Sequence, residues 1–140
     1  MNAKQIFSFL LMVVVVLSVT NADELSITAP SDNTSVGTGS TTKITCKIQK
    51  SGLDLFDTGD VKTLDDAGNV IETVFTVKST DFDTKNPNVM SKDWVVDSSK
   101  YVVGNAYTIT FTGDGTRRDP SGNKKSVTMS AKPVTVTVVA

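Results

Sequence analysis

The side chains able to do chemistry in this sequence are almost all carboxylates and hydroxyls. The chain of 140 residues has no histidine and a single cysteine, Cys46. Histidine is the commonest general base and the commonest metal ligand, and a Ser-His or Cys-His catalytic pair cannot be built without it. The composition therefore argues against nucleophilic catalysis, and we predict no catalytic residue and no cofactor.

Acidic residues form two clusters in which carboxylate chemistry is conceivable. Glycosidases need two Asp or Glu side chains about 5–10 Å apart, and calcium takes its oxygen ligands from loops. Aspartates in Gly-rich and polar segments are more often solvated turn formers, so we expect neither a carboxylate-dependent hydrolase nor a metal site. The candidates are Asp54, Asp57, Asp60, Asp65, Asp66, Asp81 and Asp83.

Cys46 lies in an alternating segment, where it shares a face with Ile44 and Ile48. Because such a strand buries one face, we expect a thiol packed in the core. The alternative is an exposed thiol that forms an intermolecular bridge. A single cysteine allows no intrachain disulfide, so packing and sheet hydrogen bonds must stabilise the domain.

Aromatic residues are the usual sugar-stacking groups of carbohydrate-binding modules. A sandwich commonly buries its single tryptophan, so Trp94 is expected in the core. Phe56, Phe82 and Tyr101 do not fall on a predicted inward strand face and are the candidate ligand contacts.

Two short motifs suggest processing in a secretory route. Asn33-Thr34-Ser35 is an N-x-Ser/Thr sequon, which makes Asn33 a candidate N-glycosylation site. The pair Arg117-Arg118 lies in a predicted Gly/Asp/Pro loop and is a candidate proteolysis site, although two solvated loop charges are the simpler interpretation.

Residues 1–22 have the pattern of a cleavable signal peptide. A basic Lys4 precedes an apolar run over 6–17 and the small-residue exit Thr20-Asn21-Ala22. The run is about a dozen residues, whereas a membrane span needs about 20, so cleavage is preferred over an N-terminal anchor. We expect a secreted single domain over 23–140 that keeps no membrane span. Its net charge is near −2 and no basic block stands out, so nucleic acid is not expected as a partner.

The remaining chain has the pattern of an all-β domain. Runs rich in Val, Ile, Thr and Phe recur between Gly, Asp, Asn, Ser and Pro, and no 3.6-residue apolar repeat stands out. About seven short strands with regular turn signals predict an antiparallel immunoglobulin- or fibronectin-III-like β-sandwich. The predicted strands span 24–29, 34–37, 41–50, 60–64, 70–78, 91–96, 101–112 and 126–139, with loops over 79–89 and 113–125.

The order of several short motifs resembles a known family. The landmarks are Ser26-Ile27-Thr28-Ala29-Pro30, Lys43-Ile44-Thr45-Cys46, Asp93-Trp94-Val95-Val96 and Gly104-Asn105-Ala106-Tyr107. They resemble the N-terminal immunoglobulin-like domain of fungal Ser/Thr-rich, glycosylphosphatidylinositol-anchored wall proteins, which is shared with the Kre/Knh-type cell-wall β-glucan assembly proteins. The resemblance implies a non-enzymatic role in the cell wall or matrix and supplies no catalytic residues. The tail 134–140 alternates as a strand rather than as an anchor signal, so no lipid anchor is expected.

These observations leave one leading hypothesis and two alternatives. The leading hypothesis is a secreted, non-enzymatic domain with a structural or binding role at the cell wall or extracellular matrix. Its partner would be a cell-wall polysaccharide or an extracellular protein. One alternative is a secreted effector or ligand that binds a partner protein, which predicts a contiguous exposed apolar patch. The other is a carbohydrate-binding module.

Overall fold

The computed structural model describes residues 25–49, 55–82 and 89–140. The predicted signal peptide, Asp54 and Asp83 lie outside these ranges. Among the described residues there are nine strands and one short 3₁₀ turn, Ser79–Asp81. The strands are β1 (Leu25–Ala29), β2 (Thr34–Gly37), β3 (Thr41–Ile48), β4 (Leu55–Leu64), β5 (Val70–Lys78), β6 (Val89–Val95), β7 (Ala106–Arg118), β8 (Lys124–Ser130) and β9 (Val134–Val139).

Two sheets pack face to face. One has the strand order β1-β3-β6, and the other β2-β9-β7-β4-β5, with β8 beside the second half of β7. The pairs are antiparallel except β2 with β9, which run parallel. The predicted class, an immunoglobulin-like all-β sandwich, is confirmed. The last predicted strand is two strands, β8 and β9, because it is interrupted at residues 131–133, which end with Pro133.

The core lies between the sheets and follows the alternation of the sequence. Cys46 is buried together with Ile44 and Ile48 on β3, and Trp94 is buried on β6. Both burial predictions are confirmed. Burial raises the pKa of the Cys46 thiol from 9.0 to about 12, because an apolar surrounding disfavours the thiolate.

Two hairpins of the six-stranded sheet turn on the same five-residue pattern, Asp-x-x-Gly-Asn. In the β4–β5 hairpin Asp65 Oδ1 accepts N–H bonds from Ala67 (3.0 Å) and Asn69 (2.8 Å). Gly68 adopts a left-handed φ of 85° there, which glycine adopts without strain. Asp119 and Gly122 repeat the arrangement between β7 and β8. These aspartates are therefore turn formers, as the sequence predicted for Asp65.

The β7–β8 hairpin corrects the prediction of a loop over 113–125. The strands continue to Arg118 and resume at Lys124, and only the turn between them is irregular. Gly113 belongs to β7, and its lack of a side chain serves packing, because a Cβ there would come within 2.7 Å of the Phe56 ring.

A tyrosine corner fixes the start of β7. The buried Tyr107 accepts a hydrogen bond at its hydroxyl from the backbone N–H of Val102 at 2.7 Å. In antibody domains a cysteine of the inter-sheet disulfide follows two residues later, and here Ile109 stands at that position. The sandwich therefore forms around apolar packing where antibody domains place a disulfide.

Candidate binding surface

The outer face of the six-stranded sheet is dense in hydroxyl groups. Along β7 the buried residues alternate with outward-facing threonines, and the neighbouring strands continue the pattern across the sheet. We call this surface the polar face. Its hydroxyl-bearing residues are Thr58, Thr73, Thr76, Thr108, Thr110, Thr112, Ser126, Thr128, Ser130, Thr135 and Thr137.

Two adjacent rows in the middle of the polar face each contain one aspartate. The strand register aligns Thr76, Asp60, Thr112 and Ser130 in one row, and Lys78, Thr58, Asp114 and Thr128 in the next. Asp60 and Asp114 are thus diagonal neighbours on adjacent strands. Cross-strand diagonal neighbours lie about 7–8 Å apart at Cα. One ligand group lying between the rows is therefore within reach of both carboxylates.

A shallow depression of about 110 Å³ lies between these carboxylates. Small-molecule pockets are usually about 300–1,000 Å³, so this depression suits a polar group of a larger ligand. Its lining residues are Thr58, Gly59, Asp60, Thr112, Gly113, Asp114 and Thr128.

Gly59 and Gly113 pair directly under the depression and point toward the core. A Cβ on Gly59 would approach the Thr112 carbonyl oxygen to 2.7 Å. The two glycines leave room beneath the sheet for the rings of Phe56 and Phe111, whose centroids are 6.3 Å apart. The depression therefore depends on core packing directly below it.

Threonine hydroxyls orient both carboxylates. Thr76 Oγ1 donates to Asp60 Oδ1 at 2.9 Å, and Thr128 Oγ1 donates to Asp114 Oδ1 at 3.0 Å. An ionised carboxylate has about four acceptor sites, so each keeps capacity for further donors. The site can accept hydrogen bonds from ligand hydroxyls without rearranging its own residues.

The structure corrects the predicted aromatic contacts. Phe56 is 4% exposed and Tyr101 1% exposed, so neither presents a ring to a ligand. Phe82 is half-buried and packs edge-to-face on Phe56, with centroids 5.9 Å apart. Phe56 faces inward because β4 begins at Leu55, five residues before its predicted start.

Tyr101 is buried in a loop because three side chains satisfy its hydroxyl. It donates to Glu72 Oε2 at 2.6 Å and accepts from Trp94 Nε1 at 3.3 Å. Since the phenol has one proton, Thr63 Oγ1 must donate to it, at 2.7 Å. Burial, and then the Glu72 carboxylate, raise the pKa of Tyr101 above its usual range. This network joins the two sheets and is structural.

The other predicted acidic sites are not brought together. Asp65 lies in its turn, and the Asp81 carboxylate accepts the Lys78 N–H at 2.8 Å and pairs with Lys92. Within residues 25–49, 55–82 and 89–140, no group of three or more Cys, Asp or Glu side chains could hold a metal ion.

Asn33, the candidate glycosylation site, lies at the exposed β1–β2 turn. Its backbone is left-handed, with φ of 61°, and its N–H donates to the Thr135 carbonyl at 2.7 Å. Ser35 of the sequon is exposed in β2. A glycan at Asn33 would therefore project from one end of the sandwich, beside the start of β9.

A patch of exposed valines lies at the opposite end. Val102 and Val103 are more than half exposed, and Val139 is exposed beside them. The Gly104 N–H donates to the Val138 carbonyl at 2.8 Å, and the Val138 N–H donates to the Asn105 carbonyl at 3.1 Å, which holds the loop against β9. We call these three residues the valine patch.

Sequence reasoning missed a basic cluster. Register places Arg117 opposite Lys125 and Arg118 opposite Lys124, so four cations meet on the distal β7–β8 hairpin. The five-residue turn 119–123 separates the two pairs in sequence, so they do not form a continuous basic run. Because Arg117-Arg118 lies in a paired strand, it is a poor protease substrate, which disfavours the processing hypothesis.

No helix in the described part of the chain is long and apolar enough to cross a membrane.

The chain is similar to several solved structures but matches no protein-family model. No protein-family model matches the chain, and no curated protein sequence matches it. Among solved structures, the fibronectin(III)-like modules of Clostridium thermocellum CbhA are similar at 19% identity and a TM-score of 0.38, over 82% of this chain and 95% of that one. Murine CRIg is similar at 16% identity and a TM-score of 0.43, over 83% of this chain and 98% of that one.

Proposed function

We propose that this chain is a secreted, non-enzymatic immunoglobulin-like domain that binds polysaccharide of the cell wall or extracellular matrix through its polar face. The main support is that Asp60 and Asp114 lie on adjacent strands and line the same depression. The signal-peptide pattern and the motif resemblance to wall proteins support the location.

The chemistry of the polar face suits an extended neutral glycan. Sugar hydroxyls both donate and accept, threonine hydroxyls do the same, and carboxylates accept two hydroxyls at once. A sheet surface matches a polymer lying flat on it better than a small molecule. Since Phe56 and Tyr101 are buried, recognition would rest on hydrogen bonds rather than on ring stacking.

Sedimentation with insoluble glucans, chitin and whole cell walls tests the proposal. We expect the wild-type protein to be retained on at least one of them. The variant Asp60→Ala/Asp114→Ala should lose about a hundredfold or more in affinity, since two carboxylate hydrogen bonds are worth about 1.5–3 kcal/mol each. The control Asp66→Ala/Asp93→Ala changes the charge equally at exposed positions and should bind as the wild type does. No retention of the wild type on any polymer would overturn the proposal.

The valine patch favours a second candidate, a secreted ligand of a partner protein. Exposed apolar side chains at one end of a small domain are typical of protein interfaces. Cell fractionation separates the two functions: a wall-binding domain stays with the wall pellet, whereas a protein ligand is recovered from the medium. In the second case Val102→Asp/Val103→Asp would abolish the partner's binding.

A further inference from the structure

The outward side chains of β4 change in chemistry along the strand. Asp60 lines the depression, Lys62 follows it, and Leu64 is the last residue of the strand. All three lie on the polar face, because the residues between them, Val61 and Thr63, are buried. The strand therefore presents, in this order, a hydrogen-bond acceptor, a hydrogen-bond donor and an apolar group.

Val70 continues the apolar end of this line onto β5. It pairs directly with Leu64 and is 55% exposed, whereas Leu64 is partly buried. Directly opposed side chains of an antiparallel pair have Cβ atoms about 4.5–5.5 Å apart, so the two side chains form one apolar surface. We call Leu64 and Val70 the aliphatic pair.

The aliphatic pair lies within reach of a polymer that occupies the depression. The step from Asp114 to Asp60 crosses from β7 to β4, in the direction of β5. Leu64 is four positions beyond Asp60 on the same strand, which corresponds to about 13 Å along the strand. A ligand group inside the depression does not extend that far, but an extended polymer that follows β4 passes Lys62 and reaches the pair.

The chemistry along β4 suits a sugar chain. A pyranose ring has hydroxyl groups at its rim, which suit Asp60 and Lys62, and C–H groups on its faces, which suit an aliphatic surface. The ion pairs formed among the described residues involve other lysines, so the Lys62 ammonium keeps donors for a ligand. The row across the sheet through Asp60 adds only the hydroxyls of Thr76, Thr112 and Ser130. The path along β4 is the one that also offers an apolar contact.

We propose that the glycan lies along β4, with its hydroxyls at the depression and at Lys62 and with the C–H face of a later sugar ring on the aliphatic pair. This inference rests on the proposed function. It narrows the ligand class to extended chains of neutral pyranose units that are long enough to span about 13 Å. A shorter sugar occupies the depression alone, so binding should depend on chain length.

NMR titrations with soluble β-glucan oligosaccharides of increasing length test the inference. We expect the wild-type affinity to rise from the disaccharide upward and to level off once the chain reaches the aliphatic pair. Val70→Thr keeps the β-branched shape but replaces a methyl group by a hydroxyl. It should bind the hexasaccharide about three- to tenfold more weakly than the wild type does, because less apolar area is buried. Its unchanged binding of the disaccharide would show that the depression is intact.

Two control variants match the substitutions in chemistry and exposure. Val95→Thr changes a strand valine that is 57% exposed on the outer face of the other sheet, and it should bind both oligosaccharides as the wild type does. Lys62→Met keeps the length of the side chain without its donors and should also weaken binding of the hexasaccharide. Lys47→Met, at an exposed position of β3, should not.

Three results would overturn the inference. One is equal hexasaccharide affinity of Val70→Thr and Val95→Thr, and another is a wild-type affinity that does not change with chain length. The third is an equal loss of both oligosaccharides in Val70→Thr, which would assign Val70 a purely structural role. In each case loss of binding in Asp60→Ala/Asp114→Ala would leave the proposed function standing. If the wild type bound no oligosaccharide, both proposals would be wrong.

Discussion

Tyr101 illustrates how single residues of this domain satisfy buried polar groups. Its hydroxyl uses its one proton and both acceptor sites, on Glu72, Trp94 and Thr63. Lys100, the residue before it, pairs with the other Glu72 oxygen at 3.6 Å. The loop before β7 is thereby fixed to both sheets.

Tyr101→Phe should lower the free energy of unfolding by about 1–3 kcal/mol, because it leaves buried donors on Thr63 and Trp94 without an acceptor. Urea denaturation followed by tryptophan fluorescence measures this. The midpoint should fall while the slope stays unchanged. An unchanged midpoint would show that water satisfies these groups.

Because Cys46 is buried, the free energy of unfolding depends on pH in the alkaline range. In the unfolded chain the thiol ionises near pH 9, whereas in the fold its pKa is raised to about 12. The unfolded state therefore loses the proton first, and stability present below pH 9 declines as pH rises toward 12, by up to about 1.4 kcal/mol per pH unit. The raised pKa of Tyr101 acts in the same direction at higher pH.

Urea denaturation between pH 8 and pH 11 checks this dependence. Cys46→Ala should be less stable at neutral pH but should lose stability less steeply with rising pH than the wild type. Parallel pH profiles for the two proteins would mean that the thiol is not protected from ionisation by burial.

Sequence alternation predicted some of these residues and failed on others. Cys46 could be predicted because Ile44 and Ile48 share its face two residues away on each side. Tyr101 could not, since Thr63 and Glu72, which stabilise its hydroxyl, are 38 and 29 residues distant. A local pattern carries no information on such partners.

At the scale of elements, the pairing of β4 with β7 shapes the candidate site. Gly59 and Gly113 face each other and allow the aromatic rings to fill the space below. The sequence showed Asp60 only as one acidic residue of a cluster. Its position diagonal to Asp114 depends on the register of strands about 50 residues apart, which periodicity does not reveal.

Gly59→Ala should destabilise the domain by about 1–3 kcal/mol, since its Cβ would meet the backbone oxygen of Thr112 at 2.7 Å. Gly37→Ala is a matched control, because its nearest neighbour would be Ser40 Oγ at an ordinary 3.5 Å. Thermal denaturation of both variants checks the difference. Equal melting temperatures would mean that β4 and β7 can accommodate the added Cβ without any loss of stability.

At the scale of the whole molecule, the fold class followed from the sequence because strand alternation and turn residues are local features. The polar face, the valine patch and the basic cluster of the β7–β8 hairpin did not follow, because each joins residues from separate strands or loops. The chain has nearly equal numbers of basic and acidic residues. The register of the β7–β8 hairpin is what shows that four basic residues lie together there.

We propose that the polar face binds glycan hydroxyls around Asp60 and Asp114. An NMR titration of the ¹⁵N-labelled protein with soluble β-glucan oligosaccharides measures this binding residue by residue. We predict that the largest amide shift changes cluster at residues 58–60, 112–114 and 128, around the depression, and that they vanish in Asp60→Ala/Asp114→Ala. Shift changes confined to the valine patch, or none at saturating oligosaccharide, would contradict the claim.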